Sequence, residues 1–250
     1  EKLTNYEQFQ FPEISSTEFD SKPHVLVIGQ YSTGKTTFIN YLLGKEYPGA
    51  RVGPEPTTDR FISIMEGFEE RIIPGGALSV HPNLPYGGLE QFGVSFLNRL
   101  EGIQLSSPIL NNITFVDTPG VLSGEKQSLA RGYDFVKVCS WFADHSDLII
   151  LLFDAHKLDI SDEFKDVLQG LLPNREKIRC VLNKADQLDK QNLLRVHGAL
   201  LWSLGKIITT PEVPRVYVGS FWAEKNLSCE NIDLYLREES DLLSELNNLP

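Results

Sequence analysis

The sequence predicts an α/β fold, a mainly parallel sheet of roughly six strands between two layers of helices. Three observations carry this. Apolar strand-like runs alternate with stretches of helical periodicity from residue 24 to residue 218. The run Asp147–Asp154 is apolar without alternation, as a strand covered on both faces requires. Finally, Gly29-Gln30-Tyr31-Ser32-Thr33-Gly34-Lys35-Thr36 lies between an apolar run, His24–Ile28, and a helical run, Thr36–Leu43. Strand, glycine-bounded loop and helix are the setting of a phosphate-binding loop.

Composition narrows the class. The chain has 250 residues, 41% hydrophobic and 23% charged, which is ordinary globular composition and a length for one or two domains. No apolar run approaches the roughly 20 residues of a membrane span. The start, Glu1-Lys2-Leu3-Thr4-Asn5, has no initiator Met and no signal-peptide pattern, so it reads as a piece of a longer chain. Cys139, Cys180 and Cys229 are odd in number and widely spaced, which points to plain thiols in a reducing compartment rather than disulfides or zinc. The formal net charge of −11 excludes a nucleic-acid role and repels anionic lipid over most of this surface.

The elements follow in order. Residues 1–20 carry Tyr6, Phe9, Phe11, Ile14 and Phe19 without clean periodicity and read as an arm packed on a neighbour. In the phosphate loop, successive N–H groups and the following helix N-terminus suit phosphate oxygens. Lys35 would reach the outer phosphates, and the Thr36 hydroxyl would ligate Mg²⁺. Gly53–Asp59 holds two prolines and Thr57 and Thr58; it is the place for a first switch, where a Thr completes the Mg²⁺ shell and its carbonyl holds water. A strand is predicted over Phe61–Met65, a turn and short strand over Arg71–Leu78, and a short helix from Phe92 to Leu100. The loop around Leu84-Pro85-Tyr86 either folds back on its own domain or docks a partner.

The next strand ends in Asp117-Thr118-Pro119-Gly120, which places a Mg²⁺-holding carboxylate at Asp117. Ser123–Gln127 would be a second switch, followed by a helix from about Gln127 to His145. After the strand Asp147–Asp154 come a helix over Asp159–Leu172 and a strand ending in Asn183-Lys184-Ala185-Asp186. Asp186 can accept hydrogen bonds from a base, Asn183 can tie the base loop together, and the Lys184 stem can cover a purine face. In the helix Leu188–Ile208, Leu193, Leu200, Leu204 and Ile207 share a stripe that Trp202 leaves, so Trp202 fills a second core or anchors an interface. Val213–Val218 is the last strand, with Gly219–Trp222 at its ligand end. Ile232–Leu246 is an acidic amphipathic helix whose apolar face needs a partner surface.

Phosphate loop, switch threonines, the Asp117–Gly120 turn and the Asn183–Asp186 loop, in that order, resemble the P-loop GTPase-like class. Longer runs, Gly29–Ile39, Gly53–Asp59, Asp117–Gln127, Leu151–Phe164 and Gly219–Trp222, are similar to the EH-domain-containing (EHD) proteins, dynamin-like membrane-remodelling ATPases. The resemblance implies a nucleotide-binding domain over 21–225, an edge of a helical domain in 1–20, and the start of its C-terminal part in 226–250. It implies that the EH domain and the lipid-binding tip lie outside this sequence. It further implies dimerisation through the Trp202 helix, oligomer contacts by Leu84, Pro85 and Tyr86, and a cytoplasmic protein peripheral on endosomal or plasma membranes. Leu84 departs from the Lys or Arg usual in the family.

The same resemblance implies ATP with Mg²⁺, although Asn183-Lys184-Ala185-Asp186 by its chemistry alone suits GTP. Gln187 stands where a side chain can disfavour guanine, and Trp222 would lie near the nucleotide. Gln30, Thr33 and Thr37 complete the nucleotide-binding set. Family position prefers Thr58 to Thr57 as the switch residue. Val121 and Tyr31 occupy places where related enzymes carry a catalytic Gln. Slow intrinsic hydrolysis follows, with water held by Thr58, charge offset by Lys35 and Ser32, the Gly120 N–H on the terminal phosphate, and stimulation by assembly. A GTP-specific enzyme, or a scaffold gated by nucleotide, are the alternatives.

Overall fold

A computed structural model describes residues 21–49, 59–121, 131–208, 214–223 and 229–249. In chain order the elements are β1 (His24–Gly29), α1 (Lys35–Leu43), β2 (Phe61–Glu66), β3 (Arg71–Pro74), α2 (Gly75–Ser79), α3 (Val94–Leu97), β4 (Leu100–Leu105), β5 (Thr114–Asp117), α4 (Phe135–Asp144), β6 (Leu148–Asp154), α5 (Asp162–Leu171), β7 (Ile178–Asn183), α6 (Lys190–Ile207), β8 (Val216–Val218) and α7 (Ile232–Asn247). Short 3-10 turns interrupt the connections, among them Leu89–Phe92 and Ala185–Gln187.

The strands make one sheet in the order β3-β4-β2-β5-β1-β6-β7-β8. Among the described residues, only the strand pairs β2–β5 and β3–β4 are antiparallel. The mainly parallel α/β expectation therefore holds, with eight strands among the described residues rather than about six. Seven of the eight answer to strand runs named in the sequence; the eighth, β4, follows where a helix from Phe92 to Leu100 was expected, and helix α3 covers only Val94–Leu97. Glu101, Gly102 and Gln104 break its apolar pattern, and it is held by pairing with β2 on one side and β3 on the other.

Alternation across β1 and β6 separates two cores. Leu26, Ile28, Ile149, Leu151 and Phe153 pack with α4, α5 and α6. Val25, Val27, Leu148, Ile150 and Leu152 face the opposite side, with Phe38 and Ile39 of α1 and Leu242 and Leu246 of α7. Each fully buried side chain of this kind contributes roughly 1.5–3 kcal/mol. That outweighs the ~1 kcal/mol span of strand propensities, so burial on both faces fixes these strands.

Polar side chains start three of the helices. The N-caps Asp134, Ser161 and Asp189 accept from the N–H groups of Lys137, Phe164 and Asn192. Of the helix expected from about Gln127 to His145, residues 127–130 lie outside the described residues and the described part is α4, Phe135–Asp144. Just before α4, Gly132 has φ +73°, a left-handed conformation that glycine takes at little cost. Helix α7 is clamped to the sheet: Glu245 takes Arg179 Nε at 2.7 Å and the Tyr217 hydroxyl at 2.6 Å. Among the described residues no helix is long and apolar enough to cross a membrane.

Candidate functional site

The nucleotide motifs in the described residues sit at the carboxyl ends of strands of the parallel part of the sheet. The phosphate loop follows β1, Asp117 ends β5, Asp154 ends β6, Asn183 ends β7, and Gly219–Trp222 follow β8. Sheet order reverses on either side of β1, and the crevice at such a point is where ligands bind in this architecture.

The phosphate loop is built as a cradle. Ser32 and Gly34 take positive φ, +66° and +88°. For Ser32 this is uncommon backbone, the kind of strain that gathers at ligand sites. Helix α1 starts at Lys35 with no side chain capping it and no acidic residue in its first turn. Its N-terminal N–H groups thus present a positive end to an anion. Thr33 folds inward, its hydroxyl donating to Gln30 O at 2.9 Å. Lys35 is buried and donates to the Gly29 and Gln30 carbonyls, each at 3.1 Å. Burial pushes its pKa down to about 8; Asp117 opposes that and Arg131 adds to it.

Asp117 lies opposite. Its Oδ2 accepts from the Thr36 hydroxyl at 2.9 Å and from the Tyr47 hydroxyl at 2.8 Å. Its Oδ1 is buried without a hydrogen-bond partner. Burial raises the Asp117 pKa, while Lys35 and the two hydroxyl donors pull it back. An orphaned carboxylate oxygen beside a threonine hydroxyl fits a hard divalent cation such as Mg²⁺, which takes oxygen ligands. Tyr47 was missed in the sequence because it sits in a turn-rich stretch with no motif to mark it.

A cleft of about 220 Å³ opens beside the loop, lined among others by Gly34, Thr37, Asn183, Lys184, Asp186, Gln187 and Trp222. Asn183 ties it together. Its Nδ2 donates to Thr33 O at 3.0 Å, and its Oδ1 accepts from the N–H groups of Lys184 and Phe221 at 2.9 and 3.2 Å. A Cβ on Gly34 would stand 2.8 Å from Asn183 Nδ2, so only glycine allows this approach. Lys184, at φ +61°, donates to Ser32 O and to Asp154 Oδ2, both at 2.6 Å. The buried Asp186 carboxylate accepts from the Ser220 hydroxyl, and Asp186 N–H donates back to it at 3.0 Å. His156 and Phe221 also line the cleft and carried no motif signal.

Thr57, Thr58 and the second switch lie outside the described residues. Val121 is buried in the core and pairs with the phosphate loop through Tyr31 N–H to Val121 O at 2.9 Å. Gly120 adjoins the same backbone. Trp202 is 69% exposed, with Lys206 Nζ 4.9 Å from its ring centre, so it fills no second core. Tyr86 as an oligomer contact is corrected. It is 1% exposed, and its hydroxyl meets Ser63 Oγ and His24 Nε2, the latter at 3.2 Å. A buried phenol needs such partners, and the loop folds back to reach them; Leu84 and Pro85 are half-buried.

These features define a P-loop nucleotide-binding domain of the GTPase class. The family model described as 50S ribosome-binding GTPase matches residues 24–184, and the chain belongs to that family of nucleotide hydrolases. Within that class it is a homologue of the EH domain-containing proteins. It is 56% identical over 250 residues to EH domain-containing protein 3 of Homo sapiens and 55% identical to EH domain-containing protein 1 of Bos taurus. The match covers 100% of this chain and 47% of each relative, so the chain spans about half their length. Among solved structures, a chain of an oligomerised bacterial dynamin pair shares the fold at a TM-score of 0.61 and 20% identity, over 92% of this chain and 38% of that one. Era of Aquifex aeolicus bound to GDP and AlF4⁻ shares it at 0.51 and 20%, over 92% and 58%.

Proposed function

We propose that this chain is the ATP-binding domain of a slow, assembly-stimulated, dynamin-like hydrolase that remodels membranes as part of a longer protein. One observation carries the nucleotide part: the Asn183 amide joins the base loop to the phosphate loop across 150 residues of sequence, at 3.0 Å from Thr33 O. A single ligand can then touch phosphate, metal and base elements together.

Lys35 and the Gly29–Thr37 backbone would hold the outer phosphates, and Ser32 would offset charge beside them. Thr36 and Asp117, joined by Thr58, would hold Mg²⁺, which would offset the negative charge of the phosphates. Thr58 O would orient the attacking water and the Gly120 N–H would meet the terminal phosphate. Val121 is committed to the core and offers no side chain to that water, which supports a slow intrinsic rate. Lys184, Asp186, Gln187 and Trp222 would enclose the base.

Exposed Trp202 supports dimerisation through α6. The domain boundaries, 21–225 for the nucleotide domain and 226–250 for the start of the helical part, belong to the same reading. So do a homo-oligomeric, membrane-peripheral protein on endosomal or plasma membranes, with lipid contact outside this chain, and a role in endocytic trafficking. The names of the EHD relatives and of the bacterial dynamin pair, whose title speaks of sensing and tethering membranes, support them. GTP is the second reading, because the Asp186 carboxylate lines the cleft and can accept two donors from guanine. Titrating labelled ATP and GTP against the chain separates the two. ATP binding with weak GTP binding supports the proposal; tight GTP binding without ATP binding refutes it.

A further inference from the structure

Arg131 is an arginine buried beside the phosphate loop. Its side chain is 8% exposed, and its guanidinium lies 4.1 Å from the centre of the Phe135 ring. Two donors of its fork are used in different directions. Nη1 reaches Glu163 Oε1 at 2.9 Å, and Nη2 reaches the Gly120 carbonyl at 3.0 Å. Glu163 stands in the first turn of α5, and its Oε2 is buried without a partner.

Burying a guanidinium, here against a half-buried carboxylate, is expensive, and an apolar pair of similar volume often serves stability as well or better. A purely structural origin therefore leaves the contact with Gly120 unexplained. Gly120 is itself pressed onto the phosphate loop: a Cβ there would stand 2.9 Å from Tyr31 Cα. The neighbouring peptide is tied to the same loop by Val121 N–H to Gly29 O at 3.2 Å and Tyr31 N–H to Val121 O at 2.9 Å. Gly120 is thus held from one side by the loop and from the other by the guanidinium.

We propose that Arg131 is a positioning residue for the terminal phosphate of a bound nucleoside triphosphate, fixing Gly120 through its carbonyl while Glu163 fixes the guanidinium. The inference rests on the nucleotide reading above. A charge-assisted hydrogen bond holds a peptide plane more firmly than a neutral one. It sets the glycine that has no side chain of its own to anchor it. The Arg131 charge also reaches Lys35 and adds positive potential at the end of the loop where the third phosphate would lie. Diphosphate contacts, made deeper in the loop, do not depend on this arrangement.

The test is the ratio of affinities for a non-hydrolysable Mg²⁺·ATP analogue and for Mg²⁺·ADP, measured with the 250-residue chain. The double variant Arg131→Met/Glu163→Met removes the buried guanidinium and its half-buried carboxylate partner and keeps the volume apolar. The expected result is an ADP affinity and melting temperature near those of the wild type, with the triphosphate preference falling by about tenfold or more. An unchanged ratio, or an equal loss for both nucleotides, overturns the proposal, since either outcome is what a merely structural pair would give. Should the double variant not fold, Arg131→Lys serves. A single ammonium follows the Glu163 carboxylate and gives up the carbonyl, so the ratio is expected to fall there too, and an unchanged ratio again overturns the proposal. A wild-type chain that binds neither nucleotide refutes the nucleotide reading itself rather than the role of Arg131.

Discussion

Raising the pH from 7 to 9 should weaken triphosphate binding, and Lys35 sets by how much. In the ligand-free site its ammonium is buried against two carbonyls, and burial brings its pKa down to about 8. A triphosphate placed beside it favours the charged form, so the bound-state pKa lies higher. With a free pKa of about 8, the charged fraction is about 0.9 at pH 7, about 0.5 at pH 8 and about 0.1 at pH 9. Binding that requires the charged form then weakens about tenfold between pH 7 and 9, or about 1.4 kcal/mol. At pH 8 each binding event takes up about half a proton. Fluorescence titration with a labelled Mg²⁺·ATP analogue gives the affinity. Calorimetry in buffers of different ionisation enthalpy gives the proton count. A flat affinity from pH 7 to 9 with no proton uptake would refute the reasoning, because it is the result expected of a lysine with its ordinary pKa.

Two further predictions concern stability. Tyr47→Phe removes one of two hydroxyls donating to Asp117 Oδ2 without opening a cavity. It should cost about 1–2 kcal/mol and lower the ligand-free melting temperature by about 2–8 °C; calorimetric scanning showing no shift contradicts the contact. His24 is held neutral by burial, its pKa lowered to about 4 with Asp147 opposing. Above pH 6.5 both folded and unfolded states carry it uncharged. As pH falls toward 4 the unfolded chain takes up a proton that the folded chain refuses, so stability drops, by about 2 kcal/mol at pH 4.5. Denaturant titrations at pH 7 and 4.5 measure the drop, and His24→Gln should remove that share of it; an equal pH slope in the variant counts against His24.

Much of the sheet and most of the described site could be read from the residues, for a physical reason. Strands β1 and β6 are buried on both faces and so are apolar throughout, and the phosphate loop has a backbone geometry that only certain residues permit at fixed spacing. Asn183 and Gly34 belong together because the amide approaches where a Cβ would stand. What was missed depends on partners distant in sequence. Strand β4 exists through its pairing with β2 and β3, and its own pattern of Leu100, Glu101, Gly102 and Ile103 is too mixed to announce a strand. Tyr47 acts through a carboxylate 70 residues away, and Tyr86 through Ser63 and His24. At Tyr86 the residues left folding back and docking both open and the family resemblance implied docking; the buried partners of its hydroxyl show that the loop folds back. Trp202 was placed off the core stripe by helical geometry, and its exposure agrees.

The central claim is that the loop from Gly29 to Thr36 grips the phosphates of a nucleotide. Calorimetric titration of a Mg²⁺·ATP analogue into the wild-type chain and Lys35→Ala tests it most directly, with melting temperatures to confirm that both are folded. Binding by the wild type and its loss in the folded variant is the predicted result. Equal binding by both would contradict the account, because the nucleotide would then be held somewhere other than this loop.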